Sequence, residues 1–310
     1  MRPGTLKHVP NSTIAPMRMK NRNCKPDKCK DADGNCLVLG EDNLPVQCVG
    51  PWVEDKYFYL ERYLNASCEV RRKFSDKSNA VFIDLFTGPG KCVIKDSCVE
   101  INAGVLRALN REEAQFNETF LFDISKNNIA ALEKRIDPGY NRHIRHGDSN
   151  VLTHQLVDNL LEHPYKRYHF VFIDPFGPDG LKFKTLIELA RLDRVDMLIH
   201  FPIMAIRRNW KLWVKKENTI LDEFLGTREW RDKISSLSRD KIFNLLINLY
   251  KKELSRIGCV FVYGLRPVSI KNTMNAPIYD LILVSKNPLA QKIWNTVINK
   301  TPNGQKSFNF

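Results

Sequence analysis

A chain of 310 residues that is 43% hydrophobic carries enough apolar side chains for a sizeable core, which excludes a disordered or fibrous protein. No apolar run approaches the roughly 20 residues that a membrane-spanning helix needs, the longest candidate being VDMLIHFPIMAI, so neither a membrane span nor a membrane partner is expected. The formal net charge of +13 is uneven, residues 81–206 being slightly acidic and 207–310 holding most of the excess Lys and Arg; a basic region beside a near-neutral one points to an acidic partner such as nucleic acid.

Residues 1–23 are polar and basic, with no apolar block ahead of a small-residue cleavage site, so they read as a disordered leader of a cytoplasmic protein rather than a secretory signal. Eight cysteines without an export signal argue against a disulfide framework and leave metal binding or free thiols. In the segment 24–50, rich in Asp, Gly and Pro, Cys24, Cys29, Cys36 and Cys48 are spaced C-x4-C-x6-C-x11-C. Four thiolates complete a tetrahedral zinc set, and a loop-rich segment gains its fold from such a metal. An iron–sulfur cluster and unliganded thiols are the alternatives. Cys68, Cys92, Cys98 and Cys259 have no ligand spacing, and Cys259 heads an apolar run as a core residue would.

Asp55 and Lys56 open an amphipathic helix on which Tyr57, Leu60 and Leu64 share a face, a pattern that speaks for packing rather than chemistry. From about residue 80, short β-branched and aromatic runs alternate with amphipathic helices: VFIDLF, NAGVLRALNREEAQ, TFLFD, NNIAALEKRI, HIRHGD, LTHQLVDNLLEH, HFVFID, KTLIELARL and DMLIHFP. This alternation predicts an α/β doubly wound, mostly parallel sheet covered by helices on both faces. Its core occupies 51–206. Residues 207–256 read as a basic helical insertion or lid, and 257–310 return to the core with two strands, CVFVYGLRPV and IYDLILVS, and a closing helix.

Ligands in open α/β sheets bind outside the carboxyl ends of the strands, so the strand ends carry the functional reading. The first run ends in DLFTGPG, where Gly88 and Gly90 let the backbone turn sharply and approach a ligand after Asp84. The second ends at Asp123, able to accept from both hydroxyls of a ribose or to cap the helix that follows. The third ends in HGDSN, where Asp148 can accept from an adenine amine or act as a cap. The fourth ends in DPFG: Asp174 and the Pro175 carbonyl can each accept a hydrogen of an exocyclic amine, while Phe176 stacks on the base. After the fifth run, Arg207, Arg208 and Trp210 place phosphate-binding charge beside an aromatic, with a core role for the tryptophan as the alternative. The glycine loop lacks the G-x-G-x-x-G spacing of nicotinamide dehydrogenases.

VFIDLFTGPG, TFLFD, HGDSN, HFVFIDPFGPDG and VDMLIHFP, in this order and spacing, resemble a class I S-adenosylmethionine-dependent methyltransferase. More narrowly, GPWVEDKYFYLERYL, HFPIMAIRRNW and IYDLILVSKNPLAQKIW resemble the three-Cys-motif partner protein family (TcmP), over nearly the whole chain from about residue 48. The resemblance implies a Rossmann-like methyltransferase fold, S-adenosylmethionine held by Asp84, Gly88, Gly90, Asp123 and Asp148, and a three-Cys-motif protein as a partner. DPFG is also similar to the motif of tRNA guanine dimethyltransferases and to the Asp-Pro-Pro-Tyr of amino-methyltransferases. The expected function is methylation of an exocyclic amine in a single-stranded or flipped base of RNA or DNA. The alternative is a non-catalytic module of the same fold that binds a partner protein or nucleic acid.

Overall fold

The runs VFID, HFVFI and DMLIHF have no polar alternation because both of their faces are covered, and they form central strands buried along their whole length. The computed structural model describes residues 17–18, 38–95, 97–137, 139, 141–163, 165–234, 237, 239–259, 267–302 and 304. Its main sheet has seven strands, numbered within that sheet: β1 (Ala80–Asp84), β2 (Glu118–Asp123), β3 (Arg142–His146), β4 (Tyr168–Ile173), β5 (Val195–Phe201), β6 (Val268–Lys271) and β7 (Pro277–Ser285). They lie in the order β6-β7-β5-β4-β1-β2-β3. Strands β1 to β5 are parallel, and β7 runs antiparallel between β5 and β6. The strand order reverses between β1 and β4, which is the topological switch point of a doubly wound sheet.

The described helices are α1 (Val53–Ala66), α2 (Cys68–Ser75), α3 (Gly104–Leu109), α4 (Lys126–Arg135), α5 (Ser149–Leu161), α6 (Phe183–Leu189), α7 (Ile203–Val214), α8 (Ile220–Leu225), α9 (Trp230–Ile234), α10 (Arg239–Arg256) and α11 (Pro288–Ile298). One apolar cluster joins α1, α3, α4 and α11 to one face of the sheet, with Tyr63 stacked on Phe170 and edge-on to Trp294. The other joins α5, α6 and the helices after β5 to the opposite face. There Tyr250 stacks on Phe224 at 5.1 Å and meets Phe201 at 5.3 Å, and Trp230 is fully buried. The block 207–256 is therefore a packed layer of the core on its inner side, held by aromatic contacts worth about 0.5–1.5 kcal/mol each beyond area burial.

Two details differ from the sequence pattern. The helix expected over NAGVLRALNREEAQ stops at Leu109, where Asn110 caps it, and Ala114 takes a left-handed φ of 45°. The run CVFVYGLRPV, expected as a strand, spans 259–268 and lies mostly outside the described residues (260–266), and the strand beside β7 is the stretch that follows it, Val268–Lys271. Cys259 is buried in the core, as its apolar setting implied. A second, three-stranded sheet joins Gln47–Val49 to Lys91–Ile94 and Glu100–Asn102, setting Cys48 opposite Val93 just beyond the glycine loop. The leader (1–23), apart from Met17–Arg18, and the cysteines Cys24, Cys29 and Cys36 lie outside the described residues.

Candidate functional site

The turn after β1 departs from what a side chain tolerates at two points. Gly88 has φ +62° and Gly90 φ +87°, and a Cβ on Gly90 would stand 2.9 Å from Leu132 Cδ1. The Thr87 amide donates to the Phe122 carbonyl, while the Thr87 hydroxyl is buried with no partner among the described residues. Asp123 accepts from the Gly88 amide (2.8 Å), the Ser125 amide (2.8 Å) and the Asn128 side-chain amide (3.0 Å), so it ties the glycine loop to the end of β2. Burial pushes the Asp123 carboxyl up against those three hydrogen bonds. The cap of α4 is Ser125, not Asp123. Asp84 is 1% exposed, and burial pushes its carboxyl up to about 8 against one hydrogen bond from the Phe86 amide. At neutral pH it holds its proton.

At the end of β3, Asp148 caps α5 by accepting from the Asn150 amide at 2.9 Å, which realises the cap alternative and leaves the carboxylate exposed. Asn150, a member of that cap in the sequence pattern, does more. Its side-chain NH2 donates to Asp148 Oδ1 (2.9 Å) and to the Gly180 carbonyl (3.0 Å), and its oxygen accepts from the Lys182 amide (2.9 Å) and Thr185 Oγ1 (2.6 Å). One amide thus fastens the turn after β3 to the loop after β4.

That loop carries the DPFG residues. Asp174 Oδ2 accepts from Lys56 Nζ at 2.5 Å and Oδ1 meets His200 Nδ1 at 2.7 Å. The ammonium and carboxylate side chains are only 9% and 16% exposed. Burial pushes the Asp174 carboxyl up, but the Lys56 charge and the His200 hydrogen bond outweigh it and hold the group well below the usual carboxylate range. Burial lowers the His200 imidazole, so it is neutral at pH 7, and Tyr279 of β7 packs on it at 4.0 Å. Phe176, two residues on, is 82% exposed. The carboxylate is thus a fixed anion two residues before an exposed aromatic ring, and each of its oxygens keeps one lone-pair position for a further donor.

Lys56 corrects the packing reading of the helix start: it is the ion-pair partner of Asp174 across 118 residues of sequence. Nothing local marks it. His200 could have been found by extending the strand-end argument to β5, and Tyr279 only through the antiparallel register of β7, in which Leu281 faces His200. The trio Arg207, Arg208 and Trp210 is split by the helix: Arg207 lies over the Phe243 ring at 4.6 Å and Trp210 packs against the core, while Arg208 is exposed. Cavities of about 770, 500 and 280 Å³ lie away from this edge; the first is lined by Glu61, Arg107 and Glu113, the second by Lys166, Arg194 and Asn287, and the third by Asn117 and Arg142. Among the described residues no group of His, Cys, Asp or Glu side chains is placed to hold a metal, and no helix is long and apolar enough to cross a membrane. Of the four candidate zinc ligands only Cys48 is described, so the zinc set itself lies outside the described residues.

The fold is an α/β sheet whose glycine loop and Asp84, Asp123, Asp148 and Asp174 lie at its carboxyl edge, at and beside the β1/β4 switch point. Among solved structures, protein LPL1258 of Legionella pneumophila, of the DUF519 family, has a TM-score of 0.46 at 11% identity, covering 81% of this chain and 94% of its own. The CurJ carbon methyltransferase has a TM-score of 0.34 at 12% identity, covering 67% of this chain and 48% of its own. A SAM-dependent methyltransferase of Anabaena variabilis has a TM-score of 0.30 at 10% identity, covering 78% and 96%. No family model matches the chain, and no curated protein matches it. Likenesses this distant say nothing about activity.

Proposed function

We propose that the chain is an S-adenosylmethionine-dependent methyltransferase that modifies an exocyclic amine of a nucleic-acid base. The observation that carries this reading is Asp174, an anion fixed at the switch point and followed at once by the Pro175 carbonyl and the exposed Phe176 ring. The resemblance to TcmP implies a methyltransferase fold and leaves the substrate open. Three features support a cofactor site at this edge: a buried Thr87 hydroxyl without a partner among the described residues, the tight turn that Gly88 and Gly90 make at positive φ, and Asp123 and Asp148 at the next two strand ends. Asp84, Gly88, Gly90, Asp123 and Asp148 would hold it. When bound, S-adenosylmethionine supplies a methyl group on a sulfonium sulfur, an electrophile for a nitrogen lone pair.

An exocyclic amine is a poor nucleophile because its lone pair is delocalised into the ring. Asp174 and the Pro175 carbonyl each accept one amine hydrogen, which turns the lone pair out of conjugation, and Phe176 stacks on the ring, worth about 1–3 kcal/mol. Methyl transfer, with its methyl–sulfur bond broken, would leave positive charge on the amine nitrogen, which the Asp174 anion would stabilise. The proton then leaves the nitrogen for Asp174. With Asp174 ionised, the neutral His200 donates its Nδ1 hydrogen to Oδ1 at 2.7 Å and holds the carboxylate in place, and the proton passes on from Asp174 to solvent. Lys56 keeps Asp174 ionised between turnovers.

A second reading has one observation in its favour: both Asp174 oxygens already have partners, as in a purely structural ion pair. On that reading the chain is a binding module for nucleic acid or a partner protein. The test is methyl transfer from methyl-labelled S-adenosylmethionine to total RNA and to denatured DNA. Wild type labels nucleic acid, whereas Asp174→Asn, which keeps the shape and loses the charge, binds the cofactor and labels none. Cofactor binding without label on either nucleic acid, or equal label from the variant, decides for the binding module.

A further inference from the structure

The helix that leaves the site has two unlike faces. α7 starts two residues after β5, with Pro202 as its cap. Its inner face carries Ile203, Ile206, Trp210 and Trp213, which are buried or packed against the core. Its outer face carries Arg208, Lys211 and Lys215 at i, i+3 and i+7, all exposed, with Leu212 61% exposed among them. The twenty residues Met197–Lys216 contain no Asp or Glu. Among the described residues none of these three cations has a carboxylate within ion-pair distance, and the Arg208 guanidinium meets only Met204 Sδ, at 3.6 Å. Other exposed cations, such as Arg191 and Lys182, are paired.

This ribbon begins at the catalytic loop. A Cβ on Gly177 would lie 4.0 Å from Ala205 Cβ, so the loop bearing Phe176 rests on the first turn of α7, one turn before Arg208. From Arg208 to Lys215 the helix advances about 10 Å, at about 1.5 Å per residue. We propose that Arg208, Lys211 and Lys215 form a phosphate track for the backbone of a single-stranded nucleic acid whose target base stacks on Phe176; this rests on the methyltransferase reading above. Unpaired cations in an acid-free run are complementary to a phosphate chain, and among the described residues none of them has an ion pair to break on meeting one. A membrane surface fits less well, because Leu212 and Val214 are the only large apolar side chains exposed along this helix. The track also gives the strand a direction, leading away from the site along α7. Trp210 drops out of the contact surface and Lys211 and Lys215 enter it.

The test is the salt dependence of binding, read by fluorescence anisotropy with a fluorescein-labelled single-stranded oligonucleotide, as RNA and as DNA. Each phosphate neutralised on a single strand contributes about −0.7 to the slope of log affinity against log salt. The triple variant Arg208→Ala/Lys211→Ala/Lys215→Ala should have a slope about 2 units shallower than wild type. A fourfold rise in salt should then weaken wild type about 15-fold more than the variant. Arg208→Lys should retain the wild-type slope, and the triple variant should keep its circular dichroism spectrum and its response to S-adenosylmethionine. An unchanged slope in the triple variant overturns the proposal, as does a wild type that binds neither oligonucleotide. So does loss of binding confined to phosphatidylserine vesicles. If the slope changes but wild type gives no heat with S-adenosylmethionine, the track stands and the methyltransferase reading falls.

Discussion

Replacing Lys56 by Met removes one charge from an ion pair whose two side chains are 9% and 16% exposed, and keeps the length of the aliphatic stem. Removing one partner of a buried pair costs about 3–5 kcal/mol, because the other charge is left uncompensated. The neighbouring imidazole makes this cost depend on pH. In wild type, burial holds the His200 imidazole down, with a smaller push from the Lys56 ammonium, against the pull of Asp174. Without Lys56, one of the two influences that disfavour the imidazolium is gone while the pull of Asp174 stays, so the imidazole protonates more readily. The signs follow from proton linkage. In wild type the folded His200 value lies below the unfolded one, so stability falls as pH drops below the unfolded value of about 6.5. In the variant the Lys56 push is gone and the depression of His200 is smaller, so less stability is lost as pH falls. The gap between the two proteins should therefore be about 3–5 kcal/mol at pH 7.5 and narrow by about 1–2 kcal/mol at pH 5.5. Urea unfolding followed by tryptophan fluorescence at both pH values measures it. A loss under about 1 kcal/mol at pH 7.5, or a gap that does not narrow, refutes the role given to Lys56.

Asp84→Asn should flatten the pH dependence of stability: the wild-type carboxyl, raised from 3.8 to about 8, contributes stability that is present below 3.8 and lost as pH rises through 8. Thermal melts at pH 5 and pH 8.5 should show the variant gaining on wild type at the higher pH. Gly90→Ala forces a side chain into φ +87° with Leu132 Cδ1 2.9 Å away, and should lower stability by about 2 kcal/mol or more, read as a lower melting temperature. Asn150→Ala removes four hydrogen bonds, three of which fasten the segment after β4, and should cost about 2–4 kcal/mol. Amides of residues 175–182 should then exchange hydrogen faster while those of β4 keep their protection.

The parallel core is legible because its strands are short continuous apolar runs ending in acids and glycines, and each acid named at a strand end does lie at the carboxyl edge of the sheet. Strand-end logic locates Asp84, Asp123, Asp148 and Asp174 without any knowledge of packing. It cannot locate Lys56, which sits on a helix ahead of the sheet and reaches Asp174 only after α1 docks through Tyr57, Leu60 and Leu64. The amphipathic pattern that brings α1 there is the same one that makes its polar start look incidental. Asn150 is hidden for a related reason: a cap residue and a loop anchor have the same one-dimensional signature, and the four partners that separate them span the turns after β3 and β4. In the basic helix the residue types are informative, but a run of neighbours in sequence does not share a face. Spacing at i, i+3 and i+7 puts Lys211 and Lys215 with Arg208 and turns Trp210 inward.

The claim that the sheet edge at the β1/β4 switch point is a cofactor site is tested most directly by isothermal titration of the folded protein with S-adenosylmethionine and with its demethylated product, for wild type and Asp123→Ala. Saturable heat from wild type with both ligands, strongly reduced in the variant, is the predicted result. No heat with either ligand from folded wild type, or equal binding by the variant, contradicts it.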